Sequence, residues 1–408
     1  MKRPRPTPST PPAIVLGGSA NAVSVARSLG RAGIAVHAVG SALSPVRYSR
    51  YCRSFTDLGT GVGVQKRWLD WLVGGPIEAV LLPCDDDGLE LVARHRAELV
   101  ALGYTPIEAD DDVLLAMLDK ERTYDLARAA GVETPWSLTL RSVDDLDAVF
   151  ERATYPCVLK PVRAHEFRSR LDTVAKVLIA DDRPALRLAI ERTVGVGVDM
   201  MVTERIPGGD DQFASYYSYL DADGRPLLHF NRHKQRQYPV GFGMACYATN
   251  RYDREASELG LRFFQAVGVR GLVNVEFKRD ARDGRLKLIE CNHRFTAGDR
   301  HLQLCGLDLP LFTYSRLMGR ELPPVSPIRS GMYMWHPIED VRAYLALRAS
   351  DGLPLGEWAR SVRHRPHFPV AEWRDPMPTV GYHARLLGRA VRKLARANPG
   401  LRPARRPT

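Results

Sequence analysis

A chain of 408 residues, 45% hydrophobic and 26% charged, has the composition of a soluble globular protein of two or three domains. No apolar run approaches the roughly 20 residues that a membrane span needs, and six scattered cysteines without a CxxC pair argue against a zinc site or a disulfide framework, so a reducing cytoplasm is the simplest compartment. The formal charge of +11 is not a nucleic-acid signature, because eight Lys and Arg residues lie from Arg385 onward with no acid among them.

Residues 1–12 (MKRPRPTPSTPP) are basic without a hydrophobic run, and read as a disordered leader rather than a secretory signal. Ala13–Gly18 (AIVLGG) is a short buried strand. Ser19–Gly33 follows as a helix with Val23, Ala26, Leu29 and Ala32 on one side, and Ile34–Val39 is the next strand. This βαβ unit predicts a Rossmann-like sheet. Its glycines fall short of GxGxxG and no acid closes the second strand, which disfavours a nicotinamide dehydrogenase. A further strand, Ala79–Pro83, leads into Cys84-Asp85-Asp86-Asp87-Gly88 and a helix striped by Leu89, Val92 and Leu99. The three aspartates read first as helix caps, as do Asp110-Asp111-Asp112. Asp85 and Asp86 stay candidates for contacts to a substrate amine.

Lys120 opens a helix that ends in an Ala-Gly-Val turn before Thr134-Pro135. In Tyr155–Pro161 (YPCVLKP) an apolar strand delivers Lys160 and stops at a proline. Burial of an unpaired ammonium is strongly unfavourable, so this position calls for an anion such as phosphate. The following RAHEFRSR, Arg163–Arg170, contains no glycine. Met200–Gly209 (MMVTERIPGG) is a strand closed by Glu204 and a Pro-Gly-Gly hinge. Alternation puts Arg232, Lys234 and Arg236 on one face, which suits either a polyphosphate or a solvated basic edge. Gly241-Phe242-Gly243 fits a substrate loop, and Glu255–Gly268 is an amphipathic helix.

Gly271–Arg294 (GLVNVEFKRDARDGRLKLIECNHR) reads as two strands joined by a polar turn. Period two puts Glu290 and Asn292 on one face and turns Cys291 to the other, and an antiparallel partner can bring Glu276 beside them. Two carboxylates and an amide oxygen at one spot repel unless a hard cation sits between them, and oxygen ligands completed by phosphates are the usual shell of Mg²⁺. Leu302–Met318 reads as one packed helix. Beyond Pro323 the signal fades, and Trp335, Trp358 and Trp373 suggest a helical appendage.

The Glu276…Glu290-x-Asn292-x-Arg294 pattern resembles the metal-binding hairpin of the ATP-grasp enzymes, and residues 13–325 follow that family's order of parts. The nearest resemblance is to its carboxylate–amine ligases, the D-aspartate-ligase-like group. It implies an α/β fold, α+β in the ATP-binding part. A Rossmann-like pre-ATP-grasp domain would span 13–118, a lid subdomain 119–205, a subdomain with the metal hairpin 206–325, and a helical appendage with a basic tail 326–408. Glu276, Glu290 and Asn292 would then hold one or two Mg²⁺ ions, with Mn²⁺ as an alternative. Lys120, Lys160 and Lys234 would meet phosphates. Glu204, Arg205 and Ile206 would flank adenine, and Asp211 the ribose, with Asp210 a contender. Arg294 would bind the acyl phosphate or the substrate carboxylate, making Lys234 and Arg294 the catalytic pair. The Gly17–Asn21 turn fits a loop for a small anionic group. Relatives carry a glycine-rich flap where this chain has residues 163–170, a departure from the pattern.

The activity implied is an ATP- and Mg²⁺-dependent ligase that forms an amide from a carboxylate and an amine through an acyl phosphate. An amino acid joined to a peptide or cell-wall precursor is one example. The implied protein is a cytoplasmic homodimer whose partners are ATP and small molecules rather than nucleic acid. Two other readings remain open. A carboxylase-type ATP-grasp enzyme would use bicarbonate, although no biotinyl Met-Lys motif is present. A non-catalytic nucleotide-binding protein would act through its basic tail on an acidic surface, against which the intact Glu276, Glu290 and Asn292 weigh. The tail also reads as a plain solvated helix end.

Overall fold

The computed structural model of the protein describes residues 10–75, 78–141, 145–163, 177–193 and 199–385. The expectations for most of the leader, for residues 164–170 and for the tail beyond Arg385 fall outside these. Four parallel strands begin the fold: β1 (Ala13–Leu16), β2 (Val36–Gly40), β3 (Ser54–Asp57) and β4 (Val80–Pro83), in the order β3-β2-β1-β4. β1 and β4 are wholly buried, as continuous apolar runs in a covered parallel sheet should be. Helices α1 (Ala20–Arg31), α2 (Val64–Val73), α3 (Asp86–Ala101) and α4 (Asp111–Leu118) follow the strands. Asp85 and Asp110 are side-chain caps, accepting respectively from the amide of Gly88 and from those of Asp112 and Val113. The acids at these helix starts thus satisfy otherwise orphan N–H groups.

A second sheet follows α5 (Lys120–Ala129). It contains β5 (Ser137–Leu140), β6 (Cys157–Pro161), β7 (Leu178–Ala180) and β8 (Met200–Glu204), in the order β5-β8-β6-β7, with α6 (Leu146–Arg152) and α7 (Arg183–Glu191) packed beside it. The third and largest sheet carries β9 (Phe213–Leu220), β10 (Pro226–Tyr238), β11 (Met244–Thr249), β12 (Gly271–Arg279) and β13 (Leu286–Asn292). Its helix α8 (Arg254–Val267) buries Phe263 and Phe264. The single helix expected over Leu302–Met318 is two, α9 (Asp299–Cys305) and α10 (Leu309–Leu317). Gly306 breaks it at φ 107°, and Asp308 starts the second helix by accepting from the Leu311 amide.

The region after residue 326 is not purely helical. β14 (Tyr333–Trp335) pairs with β11 and β15 (Pro366–His367) pairs with β14, extending the third sheet, before and after α11 (Pro337–Asp351) and α12 (Leu355–Ser361). Strands of three and two residues are too short for a period-two pattern to reveal. Two buried aspartates fasten this region. Asp340 accepts a bidentate pair from Arg236 at 2.7 and 3.1 Å and the indole N–H groups of Trp335 and Trp358 at 2.9 and 3.0 Å. Asp375 takes Arg27 Nε at 2.9 Å, Ser49 Oγ at 2.7 Å and the Arg50 amide at 3.0 Å, and so ties the C-terminal segment to the first domain. Removing one partner of such a pair leaves an uncompensated buried charge. Asp340→Ala is therefore expected to lower unfolding free energy by about 3–5 kcal/mol, measured by urea titration. A loss below about 1 kcal/mol, the surface-pair range, would contradict the role given to this clasp.

Candidate active site

The β12–β13 hairpin sets Glu276 directly opposite Glu290 and Asn274 opposite Asn292. A bulge after Glu276 absorbs Ile289, so the register that fits the loop end of the hairpin is not the one that pairs the two glutamates. Cys291 turns into the core on the other face. In the same row across the sheet, Glu276 neighbours Ser215 of β9 and, beyond it, Arg232 of β10. Lys234 reaches Glu276 Oε1 at 2.8 Å and Gln237 Oε1 at 3.0 Å. Its ammonium also lies 4.2 Å from the centroid of the Phe213 ring, which Lys278 approaches to 5.1 Å. Lys278 donates to the Ile206 carbonyl at 2.8 Å, and burial lowers its pKa to about 8 against the pull of Asp210.

A cleft lies beside the hairpin, lined by Lys120, Tyr124, Glu290, Asn292, Arg294 and Asp86 among others. Lys160 donates to the Tyr124 hydroxyl at 2.9 Å, and that hydroxyl donates to the Ile289 carbonyl at 3.0 Å. Burial depresses the Lys160 pKa to about 8 while Glu290 opposes the fall. Burial also lowers Lys120; Glu290 resists and the Lys160 charge adds to the depression. Two buried ammonium groups thus share Glu290 as a counter-charge, and a further anion in the cleft would stabilise both. Among the described residues no three His, Cys, Asp or Glu side chains form a self-sufficient metal cage. The paired glutamates and Asn292 are nonetheless a hard-oxygen donor set, which suits Mg²⁺ if ligand oxygens complete its shell.

The hinge residues are more engaged than their sequence suggests. Glu204 accepts from the Trp136 amide at 3.0 Å, Lys287 at 3.0 Å and Arg282 at 2.6 Å. Burial raises its pKa, but these donors outweigh burial and hold the carboxylate ionised. Arg205 is exposed, 5.9 Å from the Phe242 ring centroid, and Ile206 is buried. Asp210 is consumed by the Gln237 amide and side chain and the Gly241 amide, whereas Asp211 is exposed. That leaves Asp211 the acid with its carboxylate toward solvent.

Two expectations are corrected. Arg232, Lys234 and Arg236 do not share one anion, because bulges between Lys234 and Arg236 and between Arg236 and Gln237 break the alternation and send Arg236 to Asp340. The Gly17–Asn21 turn offers little to an anion. Gly17 N–H bonds the Val39 carbonyl, Gly18 N–H the Asp85 carboxylate at 3.2 Å, and Ser19 N–H Asn21 Oδ1 at 2.8 Å. A Cβ on Gly17 would fall 1.8 Å from Asp85 Oδ2, so the glycine makes room for an acid rather than for a phosphate.

Arg294 Nε meets Asp86 Oδ1 at 2.5 Å, joining the first domain to the end of the hairpin. Burial works against the guanidinium charge, and Asp86, Glu290 and Asp85 more than restore it. Tyr124 and Lys278 escaped the sequence reading. Lys278 was accessible to it, since it follows Glu276 by two on the same strand face; Tyr124, a buried aromatic in an ordinary helix, carried no signal.

No protein-family model matches the chain. In sequence it is 25% identical over 323 residues to a D-aspartate ligase of Enterococcus faecium, covering 73% of this chain and 75% of that one. It is 29% identical over 216 residues to a D-alanine–D-alanine ligase of Chromohalobacter salexigens, covering 50% and 64%. In fold it is similar to the biotin carboxylase domain of the Hydrogenobacter thermophilus 2-oxoglutarate carboxylase, a dimer solved with MgADP, ADP and bicarbonate. The TM-score is 0.60 at 19% identity, over 78% of this chain and 73% of that one.

The strained Lys160 ammonium has a consequence for stability. Its pKa of about 8 lies below the unfolded value of 10.5. The native state therefore holds fewer protons than the unfolded one between these limits, and stability rises with pH across that window. Lys160→Met is expected to be more stable than wild type by about 1–3 kcal/mol at pH 7, with the gap closing as pH rises from about 8 towards 10.5. Denaturant melts of both proteins across this range check it; equal stability at pH 7 would contradict it.

Proposed function

We propose that this chain, an ATP-grasp enzyme of the carboxylate–amine ligase class, joins a carboxylate to an amine through an acyl phosphate, with an amino acid and a peptide or cell-wall precursor as a fitting pair. The observation that carries the reading is the facing of Glu276 and Glu290 across one hairpin, with Lys234 on the first and the charges of Lys120 and Lys160 beside the second. The two sequence relatives are both named as ligases of amino acids. Similarity to the carboxylase is one of fold alone, which leaves the bicarbonate reading as the lesser alternative.

A carboxylate is a poor electrophile because oxide would have to leave. In the first step a carboxylate oxygen attacks the γ-phosphorus, the bond from that phosphorus to the ADP oxygen breaks, and ADP departs. In the second the amine nitrogen attacks the acyl carbon, the C–O bond to phosphate breaks, and the nitrogen loses a proton. Bound at Glu276, Glu290 and Asn292, Mg²⁺ or Mn²⁺ would neutralise phosphate oxygens. Lys120 and Lys160 would hold the phosphates, and Lys234, already poised on Glu276, would follow the charge of the transferring group. Glu204, Arg205 and Ile206 would border the adenine and Asp211 the ribose. Arg294 would orient the attacking carboxylate. Nucleotide and metal are proposed here on the lysines and oxygen donors of the cleft, and a homodimer on the family resemblance. Six free cysteines fit the reducing cytoplasm in which such an enzyme would work, and no helix among the described residues is long and apolar enough to cross a membrane.

ADP release with MgATP, a panel of amino acids and a panel of small amines tests the reading. Glu290→Ala is expected to lower kcat by more than about 100-fold with its circular dichroism unchanged. Near-normal turnover in that variant would sink the assignment of the metal site.

A further inference from the structure

The basic C-terminal segment starts from a firm attachment. Asp375 is clasped by Arg27, Ser49 and Arg50, and residues 377–385 then run as a helix against the first domain. Pro378 is buried, a Cβ on Gly381 would lie 2.7 Å from the Tyr48 ring, and Arg385 donates to the Ala42 carbonyl. These three residues recur at i, i+3 and i+7 and mark the side of the helix that packs.

Apolar residues stand on another side, open to solvent. Met377 and Val380 are 50% and 56% exposed, Ala384 is exposed with them, and Trp373, just before the helix, is 95% exposed. Single exposed apolar residues need no explanation, but these are aligned. Beyond Arg385 the chain lies outside the described residues, and its sequence keeps the same spacing. At about 100° per residue, Leu387, Val391 and Leu394 fall in line with Met377, Val380 and Ala384. Arg385, Arg389, Arg392, Lys393 and Arg396 fall on the other side, and Asn398-Pro399-Gly400 ends the repeat. From Pro376 to Thr408 there are eight Arg and Lys residues and no acid.

An apolar stripe on one side, with cations on the other, suits the surface of a bilayer rather than its interior. Two copies of the segment facing each other would bring only cations together. An aliphatic stripe without interleaved aromatics has nothing to offer a nucleic acid. Anionic lipid meets both halves, its headgroups the cations and its acyl chains the stripe.

We propose that residues 373–397 are an interfacial anchor that lays this stripe into the headgroup boundary of an anionic membrane, with Arg389, Arg392, Lys393 and Arg396 reaching the headgroup phosphates. Trp373 enters the boundary beside the stripe, since an indole has both an apolar body and a polar N–H. Burial of the stripe supplies affinity, and the cations set a preference for anionic lipid that salt weakens. The Asp375 clasp and the Tyr48 contact give the anchor a fixed base on the first domain. Attachment therefore holds the enzyme at the surface whatever the reaction in the cleft.

Cosedimentation of the full chain with lipid vesicles tests this. Partition onto equimolar phosphatidylglycerol and phosphatidylcholine is expected to exceed that onto phosphatidylcholine alone by about 10-fold or more, and to fall as salt is raised. Replacing Leu387→Gln together with Val391→Gln, which leaves the charge unchanged, is expected to weaken binding to the anionic vesicles by about 10-fold or more. Arg389→Gln with Arg392→Gln is expected to weaken it to a similar degree. Both variants are expected to melt at the wild-type temperature; should the first not, Val380→Gln, at an exposed position, takes its place. Equal partition onto the two vesicles, or partition onto neither, overturns the proposal. Undiminished binding by the apolar variant also overturns it, and reduces the segment to a polyanion-binding tail. A dimer formed without vesicles and dissociated by that same variant overturns it too, and gives the stripe to a second copy of the chain.

Discussion

Two carboxylates set face to face across one hairpin repel, and much of this molecule answers that repulsion. Lys234 crosses from β10 to neutralise Glu276, while Glu290 stays open to the cleft and sustains the charges of Lys120 and Lys160 against burial. In the low dielectric of a cleft such interactions are stronger than in water, and unpaired charges correspondingly unfavourable. The result is an arrangement in which acids and lysines hold one another in place but do not fully satisfy one another. A polyanion with a divalent cation would complete it.

The same physics reaches beyond the cleft. Asp340 gathers Arg236, Trp335 and Trp358, and Asp375 gathers Arg27, Ser49 and Arg50. Each aspartate is buried, and each would be strongly unfavourable alone. Together they fasten the last described segment to the third sheet and to the first domain. Asn21 adds a direct tie between the first domain and Phe295. Segments far apart in the chain are thus held together by buried polar contacts.

Much of the architecture was legible in the residues. AIVL and VLLP announce covered parallel strands by their unbroken apolar character, and the βαβ unit follows from the helical stripe between strands. VNVEFK and LKLIECN alternate clearly enough to set Glu290 and Asn292 on one face and Cys291 on the other. The appendage was less legible, because strands as short as YMW and PH carry no period. One helix was expected where Gly306 and Asp308 make two, since a hydrophobic repeat can run through a break that left-handed backbone and a cap impose.

The sequence by itself determined the strand or helix character of the longer segments, which face of each is apolar, and that Glu290 and Asn292 end a hairpin whose first strand carries Glu276. These are local matters, set by side-chain period, capping and turn chemistry. Only the tertiary structure decided which charge meets which. Arg236 serves Asp340 rather than a phosphate because two bulges turn it, and Asp85 takes the Gly18 amide and so closes that turn to an anion. Such pairings join residues far apart in the chain, and they are chosen by register shifts and interdomain packing, for which the period of a single segment holds no information.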